Sequence, residues 1–261
     1  MLPECTVIMA GTIFPYFSSN VVLIRGRHNI LVDTGNVHLR SKLMSGLHAE
    51  GLEPEQIHCV INTHLHYDHC GNNQLFPHAR VIITRHEMHY LEYIMARGRE
   101  SIEEMVARHY GHLTDRQKTA FVNLAVLNMK VLDYVYENRC SIEAFQGSTL
   151  RLEALTLEHT PGHTPGHLVV CLEEPDGRKL TVTGDVVVSK EDFVNDGDSD
   201  PLTMNHAELL EGRKRITGRT HAIIPGHGPR FDLQELEGGS QMGEPGGARG
   251  ATVAGGRGET S

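Results

Sequence analysis

Short apolar runs that stop at polar or glycine-containing turns recur along the chain. They cover residues 29–32, 57–61, 152–158, 180–183 and 222–224 and are rich in leucine, isoleucine and valine. Runs of this length between turn residues predict buried strands. Several of the turns that follow them contain histidine or aspartate, so the ends of the predicted strands are where chemistry is expected.

Residues 85–138 carry a different pattern, in which apolar residues recur every three or four positions, the spacing of one face of a helix. We therefore predict an insertion of two or three helices. Its last helix is apolar on a second face as well, which could meet substrate or a second subunit in a homodimer. The periodic apolar residues are Leu91, Ile94, Met95, Ile102, Met105, Val106, Phe121, Leu124, Ala125, Val131, Leu132 and Val135.

The length of the chain is enough for one domain with a full core. It has 261 residues, of which 39% are hydrophobic and 22% charged, and α/β domains of this size are ordinary. We assign residues 1–236 to this domain. From Glu237 onwards the sequence is rich in glycine and poor in large apolar residues, which predicts a disordered tail over 237–261.

Charge and cysteine usage narrow the possible partners and the compartment. The formal net charge of −9 argues against a surface that coats nucleic acid. The sequence has no leader-like segment and no run of about 18 apolar residues, so no membrane partner is expected. Five scattered cysteines without a Cys-x-x-Cys pair favour free thiols and a cytoplasmic location.

The densest candidate chemistry lies in the run His64-Leu-His-Tyr-Asp-His-Cys-Gly71, just after a predicted strand. In an extended loop alternate residues point the same way, so His64 and His66 are expected on one side as neighbouring nitrogen ligands. Asp68 and His69 can then face a second ion. Imidazole with carboxylate suits zinc, iron, manganese or cobalt, so the ligands alone do not name the metal. The alternative is a histidine-rich surface loop without a metal.

Three later turns offer the remaining ligands of a closed site. Thr160-Pro-Gly-His-Thr-Pro-Gly-His167 exposes His163, the run ending in Gly184 presents Asp185, and the turn after residues 222–224 offers His227. His167 is expected to brace its own turn by hydrogen bonding. Each of the three turns follows a predicted strand, so all three present their candidate ligand in the same way, at the end of a strand.

This order of residues resembles the metallo-β-lactamase superfamily, whose His-x-His-x-Asp-His signature is followed by a lone His, a lone Asp and a lone His. The resemblance implies a four-layer αββα sandwich with the helical insertion over the mouth of the site. It also implies that His64, His66 and His163 hold one metal ion. Asp68, His69 and His227 would hold the second, with Asp185 bridging the two. Asp33, in the Asp-Thr-Gly that ends an early strand, either orients a ligand histidine or caps a turn as a buried structural residue.

The implied activity is hydrolysis. Two divalent cations, zinc being the expected choice, lower the pKa of a shared water and polarise a carbonyl or phosphoryl oxygen, so no serine nucleophile is needed. Asp68 would be the catalytic residue that passes a proton to the leaving group. Small-molecule esters, lactones and thioesters are the expected substrates.

Within the superfamily the chain looks most like the N-acyl homoserine lactonases. These usually carry a tyrosine three residues after the bridging aspartate, where this chain has Val188. Two alternatives remain open. A thioesterase similar to glyoxalase II uses the same seven ligands, and an iron-dependent sulfur dioxygenase would use only His64, His163 and Asp185.

Overall fold

Two mixed six-stranded sheets form the centre of the molecule, whose computed structural model describes residues 2–13, 17–196 and 202–239. The first sheet has the order β1 to β6, and its strands β3 to β6 run parallel. These strands are β1 (Glu4–Met9), β2 (Val21–Arg25), β3 (Asn29–Val32), β4 (Cys59–Ile61), β5 (Arg80–Thr84) and β6 (Ile142–Phe145).

The second sheet has the order β12 to β7, and only β10 and β11 are parallel in it. Its strands are β7 (Thr149–Leu152), β8 (Leu155–His159), β9 (Leu168–Glu173), β10 (Lys179–Gly184), β11 (Ala222–Pro225) and β12 (Phe231–Asp232). The apolar runs of the sequence thus fall on β3, β4, β7, β8, β10 and β11. The run 152–158 is divided by a tight turn at residues 153–154.

Alternating side chains of the two sheets meet in the central core, which includes Ile30, Ile61, Leu157, Val170 and Ile224. Helices cover the outer faces. Leu43 and Leu47 of α1 (Arg40–Ala49) pack on the first sheet, and Leu209 and Ile216 of α7 (His206–Thr217) pack on the second. The predicted four-layer sandwich is therefore confirmed.

Three helices occupy the region of the predicted insertion: α3 (Arg85–Arg97), α4 (Arg99–His109) and α5 (Asp115–Glu137). Residues of α3 and α5 pack against Ile83 of the first sheet, and the three helices share a second cluster built around Ile102 and Met105. Three shorter α-helices complete the α-helices of the described residues: α2 (Tyr67–Cys70), α6 (Lys190–Val194) and α8 (Gln234–Gly239). In the same part of the chain, four single-turn 3-10 helices lie at Val37–Leu39, Pro54–Gln56, Asn73–Leu75 and Arg139–Ser141.

The predicted tail is only partly visible. Residues 237–239 end α8, and the rest of the segment lies outside the described residues, so its disorder stays a prediction. Within the described residues no helix combines the length and the apolar character needed to cross a membrane.

Candidate metal centre

The strand directions bring all predicted ligands to one edge of the sandwich. Asp33 follows β3 and His64 follows β4, and these strands are parallel, so their carboxyl ends meet at the same edge. Asp185 and His227 follow the parallel strands β10 and β11 in the same way. Because β9 is antiparallel to β10, the loop that carries His163 into β9 reaches this edge too.

The first group of ligand atoms comes from His64, His66 and His163, which lie within 4.8 Å of one another. Nε2 of His163 lies 3.0 Å from Nδ1 of His66, and the ring of His64 is edge-on to both neighbours. The expected placement of His64 and His66 as neighbours is thus observed.

The second group contains Asp68, His69 and His227, again within 4.8 Å. Asp68 Oδ2 lies 3.8 Å from His69 Nε2 and 3.6 Å from His227 Nε2. The sequence places Asp68 and His69 in the same loop, just beyond its extended part, and in the structure both lie in the helical turn α2. This turn places both side chains beside His227 in the second group of ligand atoms.

Asp185 lies between the two groups. Its Oδ1 is 3.3 Å from His69 Nε2 and 3.4 Å from His227 Nε2, whereas its Oδ2 is 3.5 Å from His163 Nε2. One carboxylate therefore presents an oxygen to each group. Gly226 makes this approach possible, since a Cβ there would lie 1.9 Å from Asp185 Oδ1.

A short hydrogen-bond chain sets the orientation of two histidine rings. Thr63 Oγ1 donates to Asp33 Oδ2 at 2.8 Å and accepts from His64 Nδ1 at 3.1 Å. Asp33 Oδ2 also accepts from His69 Nδ1 at 2.8 Å, and Asp33 Oδ1 accepts from the Thr63 backbone N–H. With both Nδ1 atoms donating, Nε2 is the atom that His64 and His69 each leave for a metal ion. Sequence reasoning had included Asp33 but not Thr63, a residue whose only signal is its position before the first ligand.

His227 is held from the other side. Its Nδ1 donates to the Thr12 carbonyl at 3.3 Å, and the Phe17 ring meets it edge-on at 5.8 Å. Asn20 supports the turn itself, because its side-chain amide donates to the carbonyls of Pro225 and Gly228.

Burial and neighbouring charges shift the titration of these rings. Burial and the adjacent histidines hold the pKa of His64 well below its usual value, so this ring is neutral and free to ligate. Burial also opposes the charged form of His69, but Asp185, Asp33 and Asp68 outweigh it and raise the pKa of that ring. Burial opposes ionisation of Asp185 too, yet His69 and His227 hold its pKa well below the ordinary range.

The donor set fits divalent cations. Nε2 of His64, Nε2 of His69 and Oδ1 of Asp185 are buried without a hydrogen-bond partner, although buried polar atoms are normally paired. Imidazole nitrogens and carboxylate oxygens are ligands that zinc and related metals accept. The seven predicted residues are therefore brought together in an arrangement that could hold metal ions.

Two further residues near the site differ from the sequence expectations. His167 does not brace its own turn through its side chain; its Nε2 accepts a hydrogen bond from the Asp185 backbone N–H at 3.1 Å, and its ring stacks on His64. Glu87, a fully buried residue of α3, contacts the loops of both His66 and His163 and was not anticipated.

An apolar cavity of about 70 Å³ adjoins the first ligand group, between α2 and the helical insertion. It has no charged Asp, Glu, Lys or Arg side chain among its lining residues. The lining consists of Leu65, His66, Tyr67, Tyr90, Ile94, Ile102, Met105, Phe121, Ala125, Asn128, Met129 and Leu132.

Comparison with known proteins agrees with this architecture. The chain is 28% identical to metallo-β-lactamase domain-containing protein 1 of Xenopus laevis over 215 residues, which cover 81% of this chain and 71% of that protein. It is 27% identical to an N-acyl homoserine lactonase of a Bacillus species over 155 residues, or 59% of this chain. The match spans only 48% of that lactonase.

Among solved structures, AidC, a dizinc quorum-quenching lactonase in complex with its product N-hexanoyl-L-homoserine, superposes with a TM-score of 0.60. The sequences are 17% identical, and the match covers 80% of this chain and 72% of AidC. At this identity the likeness is one of fold. The metallo-β-lactamase superfamily profile matches residues 15–227, which is most of the chain. The chain therefore belongs to the metallo-β-lactamase superfamily of metal-dependent hydrolases.

Proposed function

We propose that this chain hydrolyses a lactone with an apolar acyl substituent, such as an N-acyl homoserine lactone, at a site holding two divalent metal ions, most simply zinc. The observation that carries the metal part of the proposal is the position of Asp185, whose two oxygens face separate groups of ligand atoms. His64, His66 and His163 would hold one ion. Asp68, His69 and His227 would hold the other, with Asp185 shared.

When bound, such ions supply hydroxide from water at neutral pH and polarise the carbonyl of the substrate. The chain's own residues then have to orient the ligands and move protons. His64 and His69 are fixed by Asp33 and Thr63, so their ligating atoms need no reorganisation. Asp68 is buried at the edge of the second group with Oδ2 3.6 Å from His227 Nε2, a position from which it can pass a proton to the leaving oxygen.

The apolar cavity beside His66 supports an acyl substituent in the substrate. Its lining is made of aliphatic, aromatic and thioether side chains with Asn128 as a polar contact. Apolar walls favour an alkyl chain, whereas the charged peptide portion of a glutathione thioester would need charged partners. The cavity therefore favours the lactone over the glyoxalase-like alternative.

The relatives point the same way without naming the substrate of this chain. One matched protein is an N-acyl homoserine lactonase, and one structural neighbour is a dizinc lactonase. The five cysteines are free in the structure, which supports a reducing, cytoplasmic setting as part of the proposal. A homodimer formed through the exposed Leu124 and Tyr134 of α5 also belongs to the proposal, with sedimentation velocity as its test.

The deciding experiment measures metal content per chain together with turnover of three substrate classes by the same preparation. Two ions with turnover of an acyl homoserine lactone are the expected result. Two ions with turnover of a glutathione thioester and none of the lactone would replace the lactonase with the thioesterase. One iron with oxygen consumption on a persulfide would replace hydrolysis with the dioxygenase reaction. A His64→Ala variant serves as the matched metal-site control in every assay.

A further inference from the structure

Glu87 is a buried carboxylate that stands behind the ligands rather than among them. It is the third residue of α3, its side chain is fully buried, and it has no ion-pair partner among the described residues. Thr84 caps the helix three residues earlier by accepting from the Glu87 backbone N–H. A glutamate at this position usually folds back on the exposed helix end. Here its side chain instead reaches into the interior.

The Glu87 carboxylate joins two separate ligand loops. Oε1 accepts from the backbone N–H of Leu65 at 2.8 Å, and Leu65 stands between His64 and His66. Oε2 accepts from Thr164 Oγ1 at 2.8 Å and from the Gly166 N–H at 3.1 Å, in the loop that carries His163. The carboxylate therefore links the two loops that carry the three residues of the first ligand group.

Thr84 and His86, at the start of α3, contact the same loop and the end of the strand β8 that leads into it. Thr84 Oγ1 donates to the Gly166 carbonyl at 2.6 Å, and the His86 ring stacks on His159 at 4.6 Å. The contact is so close that a Cβ on Gly166 would lie 2.0 Å from the Glu87 backbone nitrogen. The start of the helical insertion and the His163 loop therefore occupy positions that depend on each other.

The energetics suit a positioning role. Burial raises the pKa of Glu87, whereas the hydrogen bond from Leu65, the one from Thr164 and the neighbouring His163 oppose that rise. A buried carboxylate costs free energy unless its lone pairs are satisfied. An apolar side chain would be enough if this position served only to fill space. The three hydrogen bonds therefore indicate that the relative position of the two loops is what Glu87 determines.

We propose that Glu87 is a positioning residue that fixes the distance between the His64–His66 loop and the His163 loop, and thereby sets the affinity of the first ligand group for its metal ion. The inference rests on the metal part of the proposed function and not on the choice of substrate. Orienting partners behind metal ligands are worth about 10- to 100-fold in metal affinity. The effect on the second group, which Glu87 does not contact, should be small.

The test is a zinc-affinity titration of the Glu87→Gln variant against a chromophoric chelator, with the metal-free chain checked by circular dichroism. The amide keeps the size of the side chain, but its NH₂ group cannot accept a hydrogen bond. At least one of the three donors to Glu87 therefore faces another donor in the variant. We expect Glu87→Gln to bind about one zinc ion fewer per chain than the parent, at a free zinc concentration that saturates the parent. Its affinity for that ion should be about 10- to 100-fold lower. Added zinc should restore the missing ion.

Glu92→Gln is the matched control, since Glu92 lies on the exposed side of the same helix. Thr164→Val, which removes one of the three hydrogen bonds, should give a smaller loss and keeps the inference testable if Glu87→Gln does not fold. Unchanged zinc affinity in a folded Glu87→Gln or Thr164→Val variant would overturn the inference and leave the proposed function standing. A parent chain that binds no zinc would overturn both.

Discussion

The Asp33 carboxylate accepts a hydrogen bond from His69 Nδ1 at 2.8 Å, and the two side chains are almost fully buried. Asp33 has a backbone φ of 59°, a left-handed conformation that aspartate and asparagine tolerate better than most residues. This backbone conformation lets one carboxylate accept hydrogen bonds from both His69 and Thr63. The orientation of a ligand in the second group and of one in the first thus depends on a single residue that belongs to neither group.

Replacing Asp33 with asparagine should weaken metal binding without disturbing the backbone. Asparagine tolerates the same φ, but its amide cannot accept from His69, Thr63 Oγ1 and the Thr63 N–H together. We expect metal affinity to fall by about 10- to 100-fold, measured by chelator competition. Asp176→Asn, at an exposed turn, is the control. Equal affinities in the two variants would show that Asp33 is only a structural cap.

Removing the Asp185 carboxylate should affect both ligand groups at once. Among the described residues, Asp185 is the only carboxylate that faces His163 on one side and His69 with His227 on the other, and the Asp185→Ala variant loses it. We expect loss of at least one ion per chain and a fall in kcat of about two to three orders of magnitude. Metal analysis and turnover measured on the same sample check the result. Full activity in this variant would rule out a shared carboxylate.

The Val188→Tyr substitution tests the lactonase lineage. Val188 is half-buried, three residues after Asp185, and its carbonyl accepts from the His227 N–H at 2.7 Å, so its backbone is tied to the site. A tyrosine hydroxyl from this position would assist at the substrate carbonyl if the pocket is built like those of the lactonases that the sequence resembles. We expect kcat on an acyl homoserine lactone to rise, with Val188→Phe as the control without the hydroxyl. Equal rates in the two variants would show that the substrate carbonyl does not lie within reach of position 188.

The residues that sequence could predict are those with a local signal. His64, His66 and Asp68 form a dense motif, and His163, Asp185 and His227 each follow an apolar strand, so their convergence could be predicted once the superfamily was recognised. Glu87 and Thr63 carry no such signal, because their roles depend on contacts across 22 or more residues of sequence: Leu65 N to Glu87, and Thr63 to Asp33. The α2 turn was also missed, since four residues are too few for a periodicity to show.

Filling the cavity beside the site should change the preference for acyl-chain length. Met129 of α5 lines the cavity, and a Met129→Trp substitution would occupy part of its roughly 70 Å³. Each methylene kept out of an apolar pocket costs about 0.8 kcal/mol, or about fourfold in kcat/KM. We expect kcat/KM to fall for long-chain lactones and to change little for short ones. Lys130→Trp, at an exposed position of α5 outside the cavity lining, controls for the added bulk. A uniform loss across chain lengths in Met129→Trp would show that the cavity is not part of the binding site.

Removal of the metal ions should expose a pH dependence that the loaded protein lacks. Burial disfavours the charged form of His69, but Asp185, Asp33 and Asp68 raise its pKa above the ordinary value of 6.5. A group whose pKa is raised in the folded state stabilises the fold fully below its unfolded pKa, and that stability is lost as pH rises through the folded value. The metal-free chain should therefore lose stability above about pH 6.5. Urea unfolding at pH 6 to 9, with and without zinc, measures this loss. In Asp33→Asn the loss should be smaller and should be complete at a lower pH, because one of the three carboxylates that raise the pKa of folded His69 is gone. Identical pH profiles with and without metal would mean that a bound ion does not take the place of the proton on His69.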